Sequence, residues 1–124
     1  MNERKVLIVD DSETIRQQVA SALEHAGFSV VEAADGVDGL ECAGANDLCM
    51  VILDVNMPRL NGLEMLERLK SDPRHAKVPV LMLTTEVQQS MIERAKKAGA
   101  RGWMIKPVKM DQLVSTVTKL TSVQ

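Results

Sequence analysis

Short apolar runs recur along the chain, with amphipathic stretches between them. The runs are VLIV (6–9), FSVVE (28–32), LCMVIL (48–53), VPVLML (78–83) and GWMI (102–105). Three of them are continuous apolar stretches rich in Val, Ile and Leu, the pattern of strands covered on both faces of a parallel sheet. Between the first two runs, Ile15, Val19, Ala22, Leu23 and Ala26 share one helical face, and Gly27 is placed to end that helix. Asn61 with Glu64 three residues on predicts a capping box, and Thr85 with Gln88 predicts a second. Gly99 closes a helix that begins near Glu86. The last helix sets Leu113, Val117 and Leu120 along one stripe, but Lys109 stands where a capping Ser, Thr or Asp is favoured. That choice forgoes about 1 kcal/mol.

Alternating strands and helices imply right-handed crossovers and an open parallel sheet with helices on both faces. For five strands the expectation is an α/β, flavodoxin-like (βα)5 doubly wound sheet of order 2-1-3-4-5. Its ligand crevice lies beyond the carboxyl ends of strands one and three, where the order reverses.

Composition narrows the picture without changing it. The 124 residues suit one domain, 1–124, and 45% of them are apolar, enough for a core. A net charge of -2 gives no footprint for nucleic acid. No stretch approaches the ~20 apolar residues of a membrane span, and the run before Asp10 is too short for a secretory signal. A cytoplasmic protein without membrane insertion is expected. Cys42 and Cys49 form no CxxC pair, and His25 and His75 add no zinc-like spacing, so both cysteines read as reduced structural thiols.

The candidate chemistry lies just past the strands. Strand one delivers Asp10 and Asp11, strand three Asp54, strand four Thr84 and strand five Lys106. Singly, each has a plain structural explanation as a turn, cap or solvated residue. Five together at the predicted switch point indicate a functional site. Clustered carboxylates suit Mg²⁺, which keeps several waters and favours a phosphate partner. The compact charge of a lysine suits a phosphoryl oxygen, and a hydroxyl can hold another. Around a central carboxylate this is equipment for phosphoryl transfer to Asp54.

VLIVDDS, ILDVNMPRLNG, LMLTTE and MIKP resemble the motifs of the receiver domain of two-component response regulators, of the single-domain CheY-like kind. The similarity spans essentially the whole chain. It implies a phosphorylation-dependent signalling switch, not an enzyme, with Asp54 as phosphoacceptor. It implies Mg²⁺, replaceable by Mn²⁺, held by Asp11 and Asp54, with Asp10 close or acting through water and the Asn56 carbonyl completing the set. Thr84 and Lys106 would hold phosphoryl oxygens, Lys106-Pro107 would be cis, and Trp103 would be the switch aromatic. Asn56 and Glu86 occupy positions that tune phosphoryl lifetime in this family. The implied partners are a histidine kinase or histidine phosphotransfer protein, and a target docking on helix four, strand five and helix five, with the switch a monomer. Thr85 and Trp103 depart from the usual Ala and Tyr or Phe.

Two other readings share parts of the pattern. A haloacid-dehalogenase-like phosphatase also uses an Asp nucleophile, but its general acid two residues on is here Asn56, which cannot transfer a proton in that role. A flavodoxin-like FMN carrier needs a Ser/Thr/Gly phosphate loop and flavin-stacking aromatics; this chain has acids there, and one Phe and one Trp in all. For partners, residues 93–109 hold Arg94, Lys96, Lys97, Arg101, Lys106 and Lys109 against Glu93 alone. That asymmetry reads either as a solvated helix face or as a surface that steers an acidic partner. Without interleaved aromatics, nucleic acid is the weaker match. The methionines read mostly as core filler, with Met57 and Met104 as alternative partner-facing positions.

Overall fold

In the computed structural model, which describes residues 5–122, the apolar runs form strands and the stretches between them form helices. The order is β1 (Lys5–Val9), α1 (Glu13–His25), β2 (Ser29–Ala33), α2 (Gly36–Ala45) and β3 (Met50–Leu53). It continues with α3 (Gly62–Ser71), β4 (Val80–Thr84), α4 (Gln89–Ala98), β5 (Gly102–Ile105) and α5 (Met110–Ser122). All pairings are parallel and the sheet order is β2-β1-β3-β4-β5, as the alternation predicts.

Successive strand residues point to opposite faces, so each run feeds two cores. Leu7, Val9, Val51, Leu53 and Met82 pack with Leu63, Leu66 and Leu69 of α3 on one side. Val6, Ile8, Ile52 and Leu83 pack with Val19 and Leu23 of α1, and with Leu113 and Val117 of α5, on the other. Burying one such side chain contributes about 1.5–3 kcal/mol, which is why the central strands β1, β3 and β4 present no polar face past Lys5, whereas edge strand β2 exposes Glu32. Trp103 and Met104 lie against opposite cores, as their alternation requires, and Met57 also packs inward. No helix among the described residues is long and apolar enough to cross a membrane.

Several boundaries differ from the sequence pattern. Helix α1 ends at His25; Ala26 is its exposed C-cap, and Ala20 is buried in place of Ala26. Gly27, at φ 97°, makes the left-handed exit, which lets the Phe28 amide donate to the Leu23 carbonyl at 3.0 Å. Phe28, Leu48 and Val78 belong to the apolar runs but precede the strands that those runs form. The Asn61–Glu64 capping box is present. The Thr85–Gln88 box is not: α4 starts at Gln89, and Gln88 caps it without a side-chain bond. The reason is local. Thr84 Oγ1 accepts from the Glu86 amide at 3.2 Å and Glu86 Oε2 from the Gln88 amide at 3.3 Å, so side chains hold residues 84–88 in a loop. Gly99, at φ 103°, ends α4 as expected. Lys109 precedes α5, its carbonyl accepting from the Leu113 amide at 3.0 Å.

Candidate functional site

The strand ladder itself sets the site. The Asp10 amide donates to the Ala33 carbonyl at 3.1 Å, and the Asp54 amide to the Val9 carbonyl at 3.0 Å. The Lys106 amide donates to the Thr84 carbonyl at 2.9 Å. Each functional residue thus sits one step beyond, or at the end of, a paired strand. Asp10, Asp54 and Thr84 are buried, whereas Asp11 and Asn56 face solvent. The crevice therefore has a dry floor and a wet mouth.

On that floor Lys106 bridges two acids. Its Nζ donates to Asp10 Oδ2 at 2.6 Å and to Asp54 Oδ2 at 3.0 Å. No residue near Asp10 in sequence supplies that cation; a cis Lys106–Pro107 peptide turns the chain just after it. Burial pushes the Asp10 carboxyl above its ordinary range, against the opposing pull of Lys106 and of the Ser12 amide, which donates to Asp10 Oδ1 at 2.9 Å. Burial also works to lower Lys106, but its bonds to Asp10 and Asp54 outweigh that and hold the ammonium above the usual lysine range. The lysine stays charged; Asp10 is the strained member of the pair.

Carboxylate oxygens of Asp10, Asp11 and Asp54 lie within 4.8 Å of one another. Hard oxygen donors at that spacing fit Mg²⁺. The Asn56 amide approaches Asp54 Oδ1 at 3.4 Å, which puts Asn56 at the same mouth. The loop between β3 and α3 folds tightly here: the Gly62 amide donates to the Val55 carbonyl at 2.9 Å. A Cβ on Gly62 would fall 1.9 Å from the Asp54 carbonyl oxygen, so only glycine permits this path.

Glu86 is held at both ends of its backbone. Its amide donates to Thr84 Oγ1, and its carbonyl accepts from the indole Nε1 of Trp103 at 3.1 Å. Trp103 is half-buried beneath that loop. Of the basic stretch, Arg94 is bound to Glu67 by two bonds of 2.8 and 2.7 Å and Lys106 lies in the crevice. Lys96, Lys97, Arg101 and Lys109 are exposed. Cys42 and Cys49 are half-buried thiols outside any disulfide.

Sequence reasoning missed the contacts that hold the surrounding loops. Arg16 donates to the Asp10 carbonyl at 2.6 Å and to Glu32 at 3.2 Å. Arg59 lies across Asp35 and Asp38. Neither ion pair has a local signal, because Arg16 lies 16 residues from Glu32, and Arg59 lies 24 from Asp35 and 21 from Asp38.

Comparison with known proteins fits this geometry. The sequence model of the response regulator receiver domain matches residues 6–118. Chemotaxis protein CheY1 of Helicobacter pylori is 39% identical over 105 residues, covering 83% of this chain and 85% of that protein. Chemotaxis protein CheY-3 of Vibrio cholerae is 35% identical over 117 residues, covering 94% and 90%. Among solved structures, chemotaxis protein CheY4 of Vibrio cholerae superimposes with a TM-score of 0.90 at 38% identity, over 95% of this chain and 98% of that one. A CheY-like receiver domain protein from Methanospirillum hungatei shares the fold at a TM-score of 0.92 and 24% identity, over 96% and 94%.

Proposed function

Because this chain belongs to the response regulator receiver domain family, whose members act as phosphorylation-dependent signalling proteins, we propose that Asp54 is its phosphoacceptor. The observation that carries the reading is the buried Asp54 carboxylate, flanked by Asp10, Lys106 and Thr84 and open to solvent past Asp11 and Asn56. An Asp54 oxygen attacks the phosphorus of a phosphohistidine. The new P–O bond forms as the P–N bond breaks, and the imidazole leaves with that electron pair and takes up a proton. The product is an acyl phosphate on Asp54.

The chain's own residues position and neutralise. Mg²⁺, or Mn²⁺ in its place, supplies charge to the phosphoryl oxygens when bound, and Asp10, Asp11, Asp54 and the Asn56 carbonyl are the groups that would hold it. Lys106 moves from the carboxylates to a phosphoryl oxygen. Thr84 donates its hydroxyl hydrogen bond to another, and because the same Oγ1 accepts from the Glu86 amide, its movement toward the phosphoryl group draws on that loop. Glu86 is also bound to Trp103, so the change passes to β5 and the face shared by α4, β5 and α5. That face, with Lys96, Lys97, Arg101 and Lys109 exposed, is the proposed docking surface for an acidic target. The phosphoryl donor is a histidine kinase or phosphotransfer protein, and the setting is the cytoplasm, with chemotaxis the role that the named relatives favour. The protein is a signalling switch and not a turnover enzyme.

Incubation with acetyl phosphate and Mg²⁺ should add one phosphoryl group by intact mass, and Asp54→Asn should add none. Equal labelling of that variant would remove Asp54 from the role.

A further inference from the structure

Arg59 has a backbone that its side chain ought to avoid. Its φ is 67°, in the left-handed region that residues with a Cβ seldom occupy. Its guanidinium is tied to two acids of a neighbouring element. Nε donates to Asp35 Oδ2 at 2.8 Å, and Nη2 to Asp35 Oδ1 at 3.1 Å and Asp38 Oδ1 at 2.8 Å. Asp35 is buried and already caps α2 by accepting from the Asp38 amide at 2.9 Å. The two backbones meet just beside this clasp: a Cβ on Gly36 would lie 2.4 Å from the Leu60 carbonyl oxygen. The β3–α3 loop is therefore fastened at two points. Gly62 anchors its inner end against Val55 and Asp54, and Arg59 anchors its outer end to the start of α2. Between Val55 and Arg59 lie only Asn56, Met57 and Pro58.

We propose that Arg59 is a positioning residue for the metal and phosphoryl site, clamping the β3–α3 loop to Asp35 and Asp38 so that Asn56 is held at the mouth of the acidic cluster. The inference rests on the reading of Asp10, Asp11, Asp54 and Asn56 as the metal set. The loop has no other side-chain ion pair among the described residues. Groups that orient metal ligands from behind typically change metal affinity by about 10- to 100-fold when removed.

Charge alone predicts the opposite sign for Arg59. Deleting a cation near an acidic cluster should tighten Mg²⁺ binding, so weaker binding isolates the positioning effect. Arg59→Gly suits the test because glycine accepts the left-handed backbone and the fold is kept. Asp35→Asn suits it too, since asparagine still caps a helix. Calorimetric titration of the unphosphorylated protein with Mg²⁺ should show each variant binding about tenfold more weakly than wild type. The double variant should be no weaker than either single one, with Arg59→Lys in between. Amide exchange across residues 55–61 of the metal-free protein should speed up in step. Binding within twofold of wild type in Arg59→Gly, or tighter binding, overturns the proposal even if Asp35→Asn weakens it. A wild-type protein that binds no Mg²⁺ would instead overturn the metal reading, and this inference with it.

Discussion

Lys106 occupies the place of a cation between two buried acids, and removing it should show what that placement contributes. The perturbation is Lys106→Gln, which keeps a polar side chain of similar reach. The lysine side chain is 14% exposed, and those of Asp10 and Asp54 are 3% and 8% exposed. Removing one partner from a buried ionic group typically destabilises by 3–5 kcal/mol. Because Asp11 and Asn56 leave one side open to water, the lower end applies, about 3 kcal/mol. For 124 residues the unfolding entropy near the midpoint is about 0.26 kcal/mol per kelvin, so Tm should fall by about 12 °C. The assay is thermal or urea unfolding in EDTA at neutral pH, repeated with Mg²⁺. Mg²⁺ no longer competes with the ammonium for Asp10 and Asp54, so it should bind the variant more tightly and stabilise it more than wild type. Saturation at 100 times Kd contributes about 2.7 kcal/mol, nearly the whole deficit. The pH dependence has a definite sign. Burial raises Asp10, so its ionised form is a liability to the fold above the ordinary carboxylate range, and acidification through its raised value should narrow the gap between variant and wild type. The contribution of Lys106, raised in the fold, is present throughout neutral pH and is lost only above the ordinary lysine range. Unchanged stability in EDTA, or weaker Mg²⁺ binding by the variant, would refute the competition between the two cations.

Two further outcomes test the switch. Glu86→Leu keeps the backbone bonds to Thr84 and Trp103 but replaces a half-buried acid at the mouth with an apolar group; phosphoryl loss after a chase should slow severalfold, and unchanged or faster loss would deny Glu86 a part in admitting water. Beryllofluoride with Mg²⁺ should shift the emission of Trp103, the only tryptophan, in wild type and much less in Thr84→Ala. Equal shifts would mean that the indole senses the metal site or solvent directly.

A feature of this fold is legible in the sequence when local pattern carries it, and hidden when it depends on distant pairing. Strands β1, β3 and β4 are legible because burial on both faces forces unbroken apolar runs such as VLIV and VPVLML, while the less buried edge strands β2 and β5 show as mixed or shorter runs. The positions of Asp10, Asp54, Thr84 and Lys106 follow from the same runs, since a parallel sheet aligns all carboxyl ends on one side. Asn61 and Glu64 make a readable cap because both partners lie in one turn. The same rule fails at Thr85, where the neighbouring Thr84 hydroxyl captures the Glu86 amide first and postpones the helix to Gln89. In sequence, the clustered acids Asp10, Asp11 and Asp54 read as a need for metal. Their nearer answer is Lys106, 96 positions away from Asp10, and no local pattern encodes that pairing. Arg59 is illegible for a further reason: arginine carries no sequence signal for a left-handed backbone, and its partners Asp35 and Asp38 lie more than twenty residues away.

These hidden contacts share a property that bears on switching. At the crevice, Lys106 donates bonds that a phosphoryl group would also claim, and the Thr84 hydroxyl is tied to the Glu86 loop. On the proposed reading Lys106 exchanges its carboxylates for a phosphoryl oxygen, whereas Thr84 can donate to that group while its Oγ1 still accepts from the Glu86 amide. The Glu86 carbonyl in turn accepts from Trp103, so a displacement of Thr84 would reach the indole through that residue. A population shift requires that the phosphoryl group bind one arrangement better than the other. On the proposed reading the difference lies in the bonds of Lys106 to Asp10 and Asp54, which hold the resting arrangement. Arg59, by contrast, has no partner in the crevice. It fixes the frame against which those exchanges occur, and so its loss should change how well the site is built, while the loss of Thr84 should change what the site can transmit.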